Sequence, residues 1–150
     1  YSRCYVALDQ GPARLHAGAL ETLESLRGSG FELAVATGKS RRGLDRVLRG
    51  LGLENYFDST RCADETRSKS DPLMLQQILA ERSKTSELAL MVGDSEYDLD
   101  MARQINMASV GVSFGVHSPA QLAQHQPRAV IDSLLDLCAL PELIAHARTG

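Results

Sequence analysis

The stretch LALMVGDSEYDLDMARQ, Leu88 to Gln104, constrains the fold more than any other part of the chain. Five apolar residues run without a break into a glycine, and four acids then fall within seven positions: Asp94, Glu96, Asp98 and Asp100. An unbroken apolar run of this length reads as a strand covered on both faces, as in a parallel sheet. Acids in the first turn of a following helix complement its dipole, by about 0.3–1 kcal/mol each. That accounts for Glu96 and Asp100 as solvated groups. Asp94 differs, because it directly follows the glycine at the strand end, where a side chain can reach the crevice beyond the sheet. Asp98 lies four residues on and shares the same helical face if the helix begins at Ser95. Two neighbouring carboxylates repel unless a cation lies with them. Few, partly hydrated oxygen ligands suit Mg²⁺. Asp94 and Asp98 are thus candidate metal ligands, Asp98 directly or through a water.

The rest of the chain repeats the alternation of strand and helix. Leu20, Leu23 and Leu26 recur at helical spacing before Gly28 and Gly30. Phe31 to Ala36 is a short buried strand. Leu44, Val47, Leu48 and Leu51 mark a helix over Ser40 to Leu51, closed by Gly52. A short strand is expected within Tyr56 to Cys62, and a helix over Pro72 to Arg82 with proline in its first turn. Beyond the acidic stretch come a helix over Asp98 to Ile105, a strand in ASVGVSF, a helix over Pro119 to Gln126, a strand at Ala129 to Ile131, and a helical tail from Leu134 to Ala147. Such alternation predicts an α/β fold: a Rossmann-like three-layer α/β/α core with a mostly parallel sheet.

Ligands of such sheets bind beyond the carboxyl ends of the strands, so the residues that follow each strand carry the functional reading. After Ala36 comes TGKS. The G-x-x-x-x-G-K-[ST] spacing of a phosphate-binding P-loop is missing there. What remains is Thr37 with the amides of Gly38 and Lys39 ahead of a helix, an arrangement able to hold an anion or simply to cap the helix. RSKSDP places Lys69 in a loop before the next helix. Composition excludes several other classes. The chain has 150 residues, 43% of them hydrophobic, enough for one domain without a disulfide or metal staple. Three widely spaced cysteines make neither a disulfide framework nor a zinc site, and they suit a reducing cytoplasm. No apolar run approaches the ~20 residues of a membrane span. With a formal net charge of −3, nothing global favours nucleic acid. The arginines of KSRRGLDRVLRG spread around a helix without aromatic partners and read as a solvated face. His117 follows a strand and reads as a surface histidine, and His16, His125 and His146 carry no signal.

Taken in order, LAVATGKS, KSDPLML and MVGDSEYDLDMA resemble the second, third and fourth motifs of the haloacid dehalogenase superfamily. AGALETLESLRGSGFELAVATGK is similar to its phosphoglycolate-phosphatase-like branch, and the resemblance runs from about His16 to Leu140. It implies a Mg²⁺-dependent phosphatase acting on a small phosphorylated substrate through an aspartyl-phosphate. On that reading Thr37 and Lys69 are the catalytic residues, and with Gly38 and Lys39 they bind the substrate phosphate. Asp94 and Asp98 hold the metal. A phospho-receiver domain would need its acidic pair first in the chain and its lysine last, and here the order is Thr37, Lys69, Asp94.

Two features depart from the family pattern. Ser70 and Asp71 separate Lys69 from Pro72, where proline usually follows directly. The first motif, Asp-x-Asp-Gly-Thr, which supplies nucleophile and acid/base on the first strand, does not occur in these residues. In CYVALDQGP, Asp9 follows a short apolar run, yet position +2 is Gly11. Residues 1–16 are therefore expected to be the end of a cap segment or a linker, residues 17–150 the core. The nucleophile is expected to precede Tyr1 in a longer protein, Asp9 being the other candidate. A non-catalytic phosphate- or metal-binding or interaction module is the alternative function. The substrate and the oligomeric state cannot be read from the residues.

Overall fold

A computed structural model of the chain describes residues 5–8, 19–62, 71–113, 118–133 and 135–136, with residues 5–8 described at the level of the backbone. The elements in chain order are β1 (Tyr5–Leu8), α1 (Ala19–Gly28), β2 (Glu32–Thr37), α2 (Arg41–Leu51), β3 (Ser59–Cys62), α3 (Leu73–Glu81), β4 (Leu90–Gly93), α4 (Glu96–Gln104), β5 (Ala108–Val112), α5 (Pro119–Ala123) and β6 (Ala129–Ile131). They form one sheet of order β3-β2-β1-β4-β5-β6. Every neighbouring pair is parallel. The fold is the expected three-layer α/β/α sandwich.

Side-chain alternation along the strands explains the layers. On β2, Leu33 and Val35 face one core with Leu23 and Leu26 of α1 and Leu44 and Leu48 of α2. Ala34 and Ala36 face the other, against Met74, Leu75 and Ile78 of α3 and Met101 of α4. The small alanines leave room for the bulkier helix residues. β4 repeats the division, with Leu90 and Val92 on the first side and Met91 on the second. Burial of Leu33, Ala34 and Met91 is complete, at 0% exposure. Both faces are thus covered, as the continuous apolar runs require.

Element ends differ from expectation by a few residues, and capping explains most shifts. Ser40 is the N-cap of α2, its side chain accepting from the Gly43 amide, and Gly52 ends the helix in the left-handed region at φ 71°. Ser95 caps α4, so this helix starts at Glu96 rather than Asp98. α5 ends at Ala123, short of the expected Gln126, whose φ of 56° lies outside the helical range. Of the expected tail helix from Leu134 to Ala147, only residues 135–136 fall within the described set.

The first strand corrects a larger expectation. Tyr5–Leu8, assigned to a cap end or linker, lies in the middle of the sheet. It pairs with Glu32–Val35 on one side and Leu90–Met91 on the other. Without a strand there, β2 and β4 would each carry a row of unpaired backbone groups in the interior. Sheet completion is the physical reason for the difference. The other residues assigned to that segment lie outside the described set.

Candidate active site

The strand order reverses direction around β1, with β2 to one side and β4 to the other. In open α/β sheets this switch point opens a crevice beyond the carboxyl ends of the strands. The fold brings two of the chemically active loops there: Thr37–Ser40 after β2 and Asp94–Ser95 after β4.

Thr37 is the last residue of β2 and only 1% exposed. Its Oγ1 accepts a hydrogen bond from the Lys39 amide at 3.1 Å. Because that contact uses an oxygen lone pair, the hydroxyl proton is directed away from Lys39. The adjoining Ser40 accepts from the Gly43 amide at 3.0 Å, so the turn after β2 and the start of α2 are tied together. Gly38 is exposed, and a Cβ added to it would meet nothing within 4 Å. Neither space nor a positive φ demands glycine at that position.

Gly93 is the opposite case. A Cβ there would sit 2.4 Å from Asp98 Cβ and 2.7 Å from Asp98 Oδ2. The Asp98 side chain folds back over the end of β4, and only glycine leaves room for it. Asp98 is 0% exposed and Asp94 9%. The Asp98 amide donates to Ser95 Oγ at 3.2 Å, which fixes the first turn of α4 beneath the pair. Two buried carboxylates at one strand end, one of them held in a glycine cradle, form a hard-oxygen donor set that fits a small divalent cation. No cluster of three or more His, Cys, Asp or Glu side chains fit to hold a metal occurs among the described residues. An ion at Asp94 and Asp98 would complete its shell with water or with groups from outside them.

Glu96 differs from the solvated group expected. Its Oε1 lies 3.1 Å from His125 Nε2, and both side chains are largely covered, at 29% and 20% exposure. His125, without signal in the sequence, thus joins the loop after α5 to the first turn of α4. The contact spans 29 positions of chain, so no local pattern could reveal it. Asp100 accepts from Gln104 Nε2 at 2.9 Å, an ordinary pairing one helical turn apart. Lys69, Asp9 and His117 lie outside the described residues.

The switch-point crevice of this α/β core is thus flanked by a strand-end threonine and two buried aspartates. Residues 7–112 match the family model for haloacid dehalogenase-like hydrolases, and the chain belongs to that family. It is 34% identical over 131 residues to the "Probable phosphatase IndB" of Dickeya dadantii (strain 3937), covering 87% of this chain and 57% of the relative. It is 30% identical over 124 residues to a phosphoglycolate phosphatase of Colwellia psychrerythraea, covering 82% and 55%. Among solved structures, a predicted phosphoglycolate phosphatase from Haemophilus somnus 129PT superposes with a TM-score of 0.79 at 27% identity, over 84% of this chain and 56% of that one. The chain thus spans little more than half the length of the curated relatives it matches.

Proposed function

We propose that this chain is the core of a Mg²⁺-dependent phosphatase acting on a small phosphorylated metabolite through an aspartyl-phosphate. The observation that carries the reading is the cradle at Gly93, which confines the buried Asp98 carboxyl against the end of β4, the strand that Asp94 directly follows. Asp94 and Asp98 would hold the ion, which when bound offsets negative charge on the phosphoryl group. Thr37 donates its hydroxyl proton to a phosphoryl oxygen, while its Oγ1 stays anchored by the Lys39 amide. The amide of Gly38 and the charge of Lys69 would add positive potential around the same oxygens, whereas the Lys39 amide, also expected to contribute there, donates to Thr37 Oγ1. Donors held in place before the substrate arrives act without reorganisation as charge develops, and each is worth about 10²–10³ in turnover. The likeness to relatives named as phosphatases supports the reaction class. A net charge of −3 gives nothing global that favours nucleic acid or an anionic membrane surface as the partner. No helix of the described residues is long and apolar enough to cross a membrane.

Attack on phosphorus needs a carboxylate in line with the leaving oxygen. We place it on a first-motif segment outside this chain, because no Asp-x-Asp-Gly-Thr occurs here. The position of β1 favours a second reading, in which Asp9 is the nucleophile, since it directly follows Leu8, the last residue of the central strand. Gly11 at position +2 then leaves the acid/base role unfilled. The metal assignment is tested by calorimetric titration of Mg²⁺. Saturable binding is expected in the wild type and its loss in Asp94→Asn, whereas equal binding in both removes Asp94 from the site.

A further inference from the structure

We propose that His125 is a positioning residue for the ion at Asp94 and Asp98: through Glu96 it fixes the first turn of α4, and with it the two carboxylates. The inference rests on the metal reading of that pair given above. Glu96 is the first residue of α4, two positions after Asp94 and two before Asp98. Residues two apart on a helix do not face each other, so Glu96 leaves the turn on a different side from Asp98. Asp98 is received by the cradle at Gly93, and its amide donates to Ser95 Oγ at 3.2 Å. The Glu96 carboxylate meets His125 Nε2 at 3.1 Å. The turn is therefore held from the end of β4 on one side and from the loop after α5 on another.

The anchor is itself tied to the sheet. Gly111 of β5 is the register partner of Gly93 of β4. A Cβ at Gly111 would sit 3.1 Å from Leu122 Cδ1, so α5 packs close against β5 beside the place where α4 packs against β4. Leu122 is 0% exposed. The His125 amide donates to the Leu122 carbonyl at 3.1 Å, and the Arg128 amide to the Ser109 carbonyl at 2.7 Å. These bonds hold the chain on both sides of the His125 ring. The ring's Nδ1 is buried and has no hydrogen-bond partner. A proton there would be a buried donor without an acceptor, so the ring proton belongs on Nε2, where it donates to Glu96. An unpartnered buried nitrogen is unfavourable, so packing alone does not account for a histidine at this position. The donor at Nε2 does. Groups that orient the ligands of a metal through hydrogen bonds contribute roughly 10–100-fold in affinity.

The test is calorimetric titration of Mg²⁺ into the whole chain and its variants, with urea midpoints measured alongside. His125→Phe keeps a ring without a donor for Glu96, and its Mg²⁺ dissociation constant is expected to rise about tenfold or more. Glu96→Ala should match it, and the two combined should weaken binding no further, since both remove one contact. His125→Gln carries an N–H the same number of bonds from Cα and should restore binding close to wild type. Gln121→Ala removes half of the capping box of α5, so it should lower the urea midpoint and leave Mg²⁺ affinity alone. In the wild type, the His125 ring nitrogen resonances should shift with Mg²⁺ along the calorimetric saturation curve. Should His125→Phe lose its folded amide spectrum, Glu96→Ala against Glu96→Gln serves, as glutamine keeps an acceptor for Nε2. A wild type that binds, with His125→Phe binding equally well, overturns the inference and leaves the metal reading standing. Gln121→Ala weakening binding as much as His125→Phe also overturns it, because loosening of α5 would then suffice. A wild type that takes up no Mg²⁺ overturns the metal reading itself, and the positioning role with it.

Discussion

Gly93 and Asp98 illustrate how one residue's identity is fixed by another five positions away. A carboxylate at 0% exposure is costly unless it is bonded or beside a cation. The backbone of β4 accommodates it only because Gly93 has no side chain. Gly93→Ala would place a methyl 2.4 Å from Asp98 Cβ. The helix turn would have to move, at a cost of about 1–3 kcal/mol typical of overpacking. A lower urea midpoint is expected, together with weakened Mg²⁺ binding even though both carboxylates remain. Gly38→Ala, where the added methyl meets nothing within 4 Å, is the control and should leave both quantities near wild type. If the two substitutions behave alike, the cradle is not what holds Asp98. The Gly-Asp-x-x-x-Asp pattern was legible in the sequence because strand end, turn and helix start are all local. The Glu96–His125 contact was not, since it depends on how α5 packs beside α4.

At the scale of an element, β3 shows how an exposed edge is closed. It is the outermost strand on its side of the sheet, and an open edge invites pairing with another chain. The Thr60 carbonyl instead accepts from Arg41 Nη2 at 3.1 Å and Arg61 Nη1 at 2.9 Å. Arg61 also reaches Glu81 of α3 at 2.6 Å, and Ser59 donates to the same carboxylate oxygen at 3.0 Å. Burial pushes the Glu81 carboxyl up. The hydrogen bonds from Arg61 and Ser59, with the charges of Arg61 and Arg82, outweigh it and hold the group below its ordinary value of 4.5. A carboxyl depressed in the folded state stabilises the fold above its unfolded value and loses that contribution as pH falls through the folded one. Stability should therefore decline below about pH 4.5 partly through Glu81. In Glu81→Gln, urea midpoints measured from pH 7 to about 3 should start lower and fall less steeply. Identical slopes in the two proteins would exclude Glu81 from the acid limb. Sequence patterning found β3 only as a short strand within seven residues, because its guarding contacts come from two separate helices.

The whole molecule is organised by what occupies the middle of its sheet. Pattern was enough to find the flanking strands and helices, since the apolar runs Phe31 to Ala36 and Leu88 to Val92 lie between segments of helical spacing. It was not enough for β1, four residues long and recognisable only by the two neighbours that need it. That strand decides how the chain by itself should behave. On the proposed reading Thr37, Asp94 and Asp98 hold a phosphoryl group and an ion, and none of them is the in-line nucleophile that the covalent route needs. If the nucleophile belongs to a first-motif segment outside the chain, the purified chain should be inert towards p-nitrophenyl phosphate with Mg²⁺, and its beryllofluoride-treated form should carry no adduct. If Asp9 serves from the end of β1, beryllofluoride should attach there, and Asp9→Asn should abolish both the adduct and any turnover. Even then, with Gly11 where the family has its acid/base aspartate, turnover should be lower by about 10²–10⁴, the usual contribution of general acid–base catalysis. Robust hydrolysis that survives Asp9→Asn would exclude both assignments, because it would require a nucleophile elsewhere in the core.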